Sequence, residues 1–391
     1  MQQKRQEIRS LTGLRGAAAC LVVFYHLSQR AINFPNAFNY IIGRGYLSVD
    51  VFFILSGFVM ALSYRKLFDG AALRRAYPVF LLRRLARTYP LYAAVILVVS
   101  SQDVRHAIQH HVLAPDQVAQ KVAANLLFLQ GVGYPARVVG PSWSVAVEFV
   151  AYLLFPLLLA ATARRPRALL SATVAYMCLL LAAYLPNGVL LQGFSGPLDL
   201  TVSDQGPFIV RCLPVVRCLT EFTIGLCLFS FVGSKEFSFA SPAKSFAVFA
   251  AILATLALPY SDFAFVPAAA LLIAVLLHDN PVTKAFASRP VFFLGEISYA
   301  IYLWHFQLFQ VQTSLFAKLS RHMGVSSAEA CAMVCYWIVL IAISYASFRM
   351  IEVPGRRYVR KLEQRFFPAE DAALLAQERA ASAAIDHTDQ P

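Results

Sequence analysis

The apolar run GLRGAAACLVVFYHL, residues 13–27, carries an arginine, Arg15, and a histidine, His26. In a helix, eleven residues make about three turns, so the two side chains share one face roughly 16 Å apart. An arginine at the centre of a membrane helix costs about 2.5–3.5 kcal/mol on insertion scales. It is retained either because it snorkels to headgroups or because it grips an anion. A neutral imidazole takes and returns a proton near neutral pH, although a histidine bonded to a neighbouring helix is the plainer reading. The shared face favours a joint role.

Other polar residues stand in comparable surroundings. FLLRRLARTYPLY, residues 80–92, puts Arg84 and Arg87 one turn apart on one helix face. Two planar guanidiniums there suit a phosphate clamp, while basic residues at an inner helix end also fit a purely topological role. GPSWSVAVEFVAYLLFP, residues 140–156, holds Glu148 inside an apolar run. That carboxylate could orient and charge-stabilise a histidine, or pair with Arg211 or Arg217. LGEISYAIYLWHFQLF, residues 294–309, supplies His305 with Tyr299 and Trp304 nearby, and GYLSVDVFFILSGFVM, residues 45–60, supplies Asp50 and Ser56. These five are further site candidates. For Ser56-Gly57, close helix packing is the stronger expectation.

The elements that position these residues are helices. The chain is 59% hydrophobic and 14% charged with a mean hydropathy of +0.60, against about 25% charged in a soluble domain. Apolar runs of bilayer-spanning length recur throughout. Spans are expected at about 12–29, 46–63, 88–101, 143–163, 168–186, 208–232, 245–260, 262–278, 292–315 and 331–352. Lys and Arg concentrate in alternate connections, which puts both termini in the cytoplasm. The fold class is therefore all-α, a polytopic membrane protein with about ten transmembrane helices.

The net charge of +13 follows that alternation and forms no basic stripe in a soluble segment, so nucleic acid is not an expected partner; the lipid bilayer is. All seven cysteines lie in or beside apolar runs, with no ligand cluster that implies a metal and no disulfide framework. The small residues 17–19 precede the first apolar stretch, which predicts an uncleaved first span. AANLLFLQG within 102–142 is expected to dip toward the membrane, and 187–207 to form an ordered outer loop.

In order along the chain, R-x10-H, FFILSGF, R-x-x-R followed by TYPLY, WSVAVEFVAYLLFP and ISYAIYLWH resemble the acyltransferase 3 superfamily, bacterial membrane enzymes that O-acylate glycans. The resemblance covers roughly residues 8–360. It implies a transmembrane acyltransferase domain at 1–360, a cytoplasmic tail at 361–391, and residence in the bacterial inner membrane. LTGLRG stands where many members have LDGLRG, so Thr12 replaces an acid. The chain resembles the stand-alone members that lack an SGNH hydrolase-fold domain.

By this resemblance, the donor is cytoplasmic acyl-CoA, most simply acetyl-CoA, with no permanently bound cofactor. The acceptor is a hydroxyl of a glycan or lipid-linked saccharide. Arg15, Arg84 and Arg87 are implied to bind the donor, and His26 and Glu148 to act in catalysis. The alternatives are a multi-span transporter or glycan flippase, in which the same polar residues form a path, and a relative that uses succinyl groups or a non-glycan acceptor.

Overall fold

Long apolar runs rich in Leu, Ala, Val and Phe set the helices, and charged connections or prolines end or bend them. The computed structural model describes residues 2–29, 36–70, 73–110, 115–132, 138–171, 173–174, 213–232, 239–258 and 261–367. Every regular element among the described residues is helical. In chain order they are α1 (Gln2–Ser28), α2 (Asn36–Gly43), α3 (Ser48–Gly70), α4 (Leu73–His110), α5 (Pro115–Leu126), α6 (Ser142–Arg164), α7 (Leu213–Val232) and α8 (Pro242–Ala257). There follow α9 (Asp262–Val275), α10 (Pro281–Phe286), α11 (Arg289–Glu296), α12 (Ser298–Trp304), α13 (Phe309–Leu319), α14 (Val325–Ser347) and α15 (Val353–Phe366).

Five stretches among the described residues are long and apolar enough to cross a membrane: Arg9–Ser28, Gly45–Asp69, Ser142–Arg164, Pro214–Val232 and Val325–Phe366. Leu97, Leu157, Val334 and Ile338 are exposed on helix surfaces, the inverse of a water-soluble surface and the pattern a lipid-facing wall requires. The expected span at 168–186 and the loop at 187–207 lie largely outside the described residues. The tail expected from 361 is helical to Phe366, and 368–391 are likewise outside them.

Three elements differ from the expected spans. The third span is part of one helix of 38 residues, α4, so the basic cluster at Arg83, Arg84 and Arg87 continues directly into the apolar segment. The expected span at 292–315 is three short helices, α11, α12 and α13, interrupted at Ile297 and again at 305–308. The last expected span ends in a π-helical turn, Phe348–Glu352, before α15. Pro354 explains that turn: it lacks the N–H that would bond the carbonyl of Met350, so the ladder widens just upstream.

Helix α1 runs through the interior, with Leu14, Ala19, Val22, Val23 and Leu27 buried. It meets α11 at almost backbone-to-backbone distance. A Cβ on Gly16 would stand 2.5 Å from the Gly295 nitrogen, so no larger residue fits without moving one helix. A second close crossing joins α3 to α7, where Gly57 faces the backbone of Phe222. In the AANLLFLQG segment, Asn125, Phe128 and Gln130 are buried within the protein. Gln130 Nε2 donates to the Tyr92 hydroxyl at 2.6 Å, and that hydroxyl donates to the Asn125 carbonyl at 2.8 Å.

Candidate active site

Helices α1, α3, α4, α6 and α12 line a partly open cavity of about 200 Å³. Four charged side chains line it: Arg15 from α1, Arg84 and Arg87 from α4, and Glu148 from α6. Ser56, Ser144, Tyr152, Tyr299 and Tyr302 complete its polar wall. Residues 15, 84, 87 and 148, far apart in sequence, thus share one chamber. A volume of this size takes a small group or one end of a larger ligand.

The charges are held by specific contacts. The Tyr152 hydroxyl donates to Glu148 Oε1 at 2.6 Å and also hydrogen-bonds Ser56. The Arg84 guanidinium lies over the rings of Tyr64 and Tyr152, at 5.4 and 5.7 Å from their centroids. Such faces attract a cation through the ring quadrupole. Arg84 is only 8% exposed, and its buried Nε has no partner. A buried guanidinium N–H left without an acceptor is costly, and an anion in the cavity would relieve it. The Tyr299 hydroxyl donates to the Thr88 carbonyl at 2.8 Å, pinning α12 to α4 beside Arg84 and Arg87.

The two histidines stand together outside this lining. His305 Nε2 is 3.1 Å from His26 Nδ1. His305 Nδ1 lies 2.7 Å from the Tyr302 carbonyl, and His26 Nδ1 lies 3.0 Å from the Val22 carbonyl. Carbonyls only accept, so with both rings neutral each Nδ1 carries the proton, and the single His26 Nδ1–H is shared between the Val22 carbonyl and His305 Nε2. That fixes His26 in the tautomer whose Nε2 is the basic nitrogen. His305 is fully buried, and Tyr336 donates from its hydroxyl to the His305 carbonyl at 3.0 Å. His305 keeps helical backbone angles and bonds the Ile301 carbonyl at 3.0 Å, so it continues the last turn of α12.

Tyr302 separates the chamber from the histidine pair. Its side chain lines the cavity, its carbonyl meets His305, and its hydroxyl is 2.8 Å from Ser144 Oγ.

The remaining candidates fall elsewhere. His26 Nδ1 meets His305 Nε2, and the Glu148 carboxylate accepts from Tyr152 in the chamber. Asp50 does not line the cavity: it forms a buried ion pair with Arg217, whose Nε also reaches Glu221 at 3.3 Å. Arg217 therefore serves Asp50 and Glu221, and Arg211 lies outside the described residues. Trp304 Nε1 donates to Ser347 Oγ at 2.9 Å, tying α12 to α14. Sequence reasoning missed Tyr152, Glu221, Glu352 and Arg356. The signals were faint: Tyr152 follows Glu148 by four residues, and Glu352 precedes Arg356 by four, spacings that place both pairs on one helix face.

Among the described residues, an arginine-lined chamber beside a histidine pair is suited to holding an anion and moving a proton. The acyltransferase 3 family profile, described as an acyltransferase domain, matches residues 8–349, and the chain belongs to that family. It is an O-acyltransferase by that membership. It is similar to acyltransferase MdmB of Streptomyces mycarofaciens, 27% identical over 85% of this chain and 88% of that protein. Protein 2 in picA locus of Rhizobium radiobacter is 31% identical over 36% of this chain and 76% of that protein. Peptidoglycan O-acetyltransferase OatA of Listeria monocytogenes is 24% identical over 90% of this chain, which spans 56% of that longer protein. No solved structure matches the chain significantly.

Proposed function

We propose that the protein transfers an acyl group, most simply acetyl, from cytoplasmic acyl-CoA to a hydroxyl of a glycan or lipid-linked saccharide. In this reading it is an inner-membrane protein of about ten spans with both termini in the cytoplasm. The observation that carries the proposal is the pairing of an arginine-lined chamber with a histidine whose basic nitrogen is fixed. Arg15, Arg84 and Arg87 hold the donor's phosphates, as permanently charged planar donors do. The acyl arm then passes Tyr302 to reach His26.

At His26, Nε2 takes the proton of the acceptor hydroxyl while its oxygen attacks the thioester carbonyl. A C–O bond forms, the C–S bond breaks, and the proton passes to the departing thiolate. His305 accepts from His26 Nδ1–H throughout and shares the charge of the transient imidazolium. Glu148 acts in the chamber, where it balances the arginines and holds Tyr152. A positioned general base of this kind contributes about 10²–10⁴-fold in rate.

The acetyl group and glycan acceptor are supported by the Listeria relative, a peptidoglycan O-acetyltransferase. The Streptomyces relative, which matches over most of both chains, is named simply an acyltransferase, so a non-glycan hydroxyl is the second reading. The test uses purified full-length protein in lipid nanodiscs with radiolabelled acetyl-CoA and either a lipid-linked saccharide or a small polyhydroxylated acceptor. Label in the saccharide is expected. Label only in the small acceptor favours the second reading. Substrate movement across sealed vesicles with no acyl transfer would mark a transporter and overturn both.

A further inference from the structure

Behind Arg87, at the junction of α14 and α15, sits a charged pair that the chamber's lining does not include. Arg356 Nη2 donates to Glu352 Oε2 at 2.7 Å. The Glu352 side chain is 1% exposed and that of Arg356 is 34% exposed, so the pair spans from the protein interior to the surface. Each partner retains an unsatisfied buried atom, Glu352 Oε1 and Arg356 Nε. With Arg84 Nε, that makes three such atoms around one set of charges.

These groups form one electrostatic cluster. Arg87 feels the charges of Arg15, Arg84 and Arg356, while Glu352 feels those of Arg356, Arg87 and Arg15. Among the described residues the cluster therefore has four guanidiniums, at 15, 84, 87 and 356, against two carboxylates, Glu148 and Glu352. The excess is two positive charges in a buried setting, and a phosphate or diphosphate has the charge to balance it. The carboxylate of Glu352 is itself an oxyanion presented to guanidiniums, in the chemical role a phosphate would take. The π-helical turn ending at Glu352 sets it on the inner side of the helix junction.

We propose that Arg356 is a further ligand for the donor's phosphate and that Glu352 is the resident counter-ion displaced when the donor binds. This rests on the acyl-CoA reading given above and adds two residues with opposite effects. With the site vacant, Glu352 holds Arg356 in place and stops the four cations from repelling one another. On binding, a phosphate takes the Arg356 guanidinium and its free Nε–H, and Glu352 becomes a competitor whose charge opposes retention of the anion. The same competition assists release of free CoA after transfer.

The experiment measures coenzyme A binding by isothermal titration to the full-length protein in nanodiscs, comparing wild type with Glu352→Gln, Arg356→Gln, Arg356→Lys and the double Gln variant. Size-exclusion profile and melting temperature are recorded for each to establish that it is folded. Glu352→Gln should bind coenzyme A about threefold or more tightly, and Arg356→Gln about threefold or more weakly, the scale of a partly exposed charge pair. Arg356→Lys should recover part of the loss, and the double variant should lie between the singles. A folded Glu352→Gln protein that binds more weakly, or both singles moving in the same direction, shows a pair that only supports the fold and overturns the proposal. If folded wild type binds no coenzyme A, the acyl-CoA reading itself fails and this inference goes with it.

Discussion

His305 Nε2 lies 3.1 Å from His26 Nδ1, and each histidine's Nδ1 is also held by a backbone carbonyl. The pair therefore has a direction: with both rings neutral, His26 donates from Nδ1, and Nε2 is its basic nitrogen. His26→Ala should reduce acyl transfer by at least about 10²-fold while donor binding and melting temperature stay near wild type. Steady-state kinetics with labelled acetyl-CoA, paired with a donor titration, checks this. Substantial transfer by the alanine variant would remove His26 from the mechanism.

His305 acts through His26 and touches no substrate in this account, so its replacement should separate kcat from KM. His305→Leu should lower kcat about tenfold or more, within the range a positioned base supplies, with donor KM unchanged. His305→Gln retains an acceptor oxygen for the His26 N–H and should recover part of the rate. Equal loss in both variants, or a loss confined to KM, contradicts a positioning role.

Arg84 and Arg87 face the chamber from one side of α4. Arg84→Gln and Arg87→Gln should each raise donor KM and weaken coenzyme A binding, with a smaller effect on kcat at saturation. Binding should also become less sensitive to ionic strength, since one screened charge has been removed. Isothermal titration at two salt concentrations distinguishes this from simple unfolding, and unaltered affinity in both variants rules out the clamp.

Asp50 and Arg217 are paired in the core, with Asp50 1% and Arg217 6% exposed. Removing one member leaves a buried charge without compensation, at a cost of about 3–5 kcal/mol. Arg217→Met should therefore lower the melting temperature sharply, whereas the triple change Asp50→Leu, Arg217→Met and Glu221→Leu, which removes the whole buried charge group, should be milder than Arg217→Met alone. Additive losses in the thermal melts would show that these side chains are not coupled.

Gly16 and Gly295 let α1 and α11 touch. Gly16→Ala should cost about 1–3 kcal/mol by overpacking and reduce transfer beyond what the lower stability explains, because the shift separates His26 from His305. A stable, fully active Gly16→Ala protein would mean that the contact does not set the histidine distance.

The helices around the chamber were legible because hydrophobic runs and turn residues are local signals. Arg15, Arg84, Arg87 and Glu148 stood out because charge inside an apolar helix is costly wherever it occurs. Their assembly in one chamber needed the tertiary structure, since no local pattern states which helices touch. The breaks in the 292–315 segment have no proline to mark them and fall beside Gly295-Glu296 and at His305-Phe306-Gln307, polar residues too few to end an apolar run. Glu352 and Arg356 stand at the edge of a basic segment, with nothing local to mark the acid as buried. Only the packing of α15 against α4 buries the acid.

Arg15 and His26 belong to one proline-free stretch of α1, so the interval between them is fixed by helical rise. The helix is in effect a measuring rod: the charge-binding end and the proton-accepting end cannot be adjusted independently. A donor whose anionic head and acyl carbon are spaced differently would have to bend, or leave one end disengaged. Selectivity for the length of the donor's arm would then be built into a single helix, before any residue of the wall reads the acyl group itself.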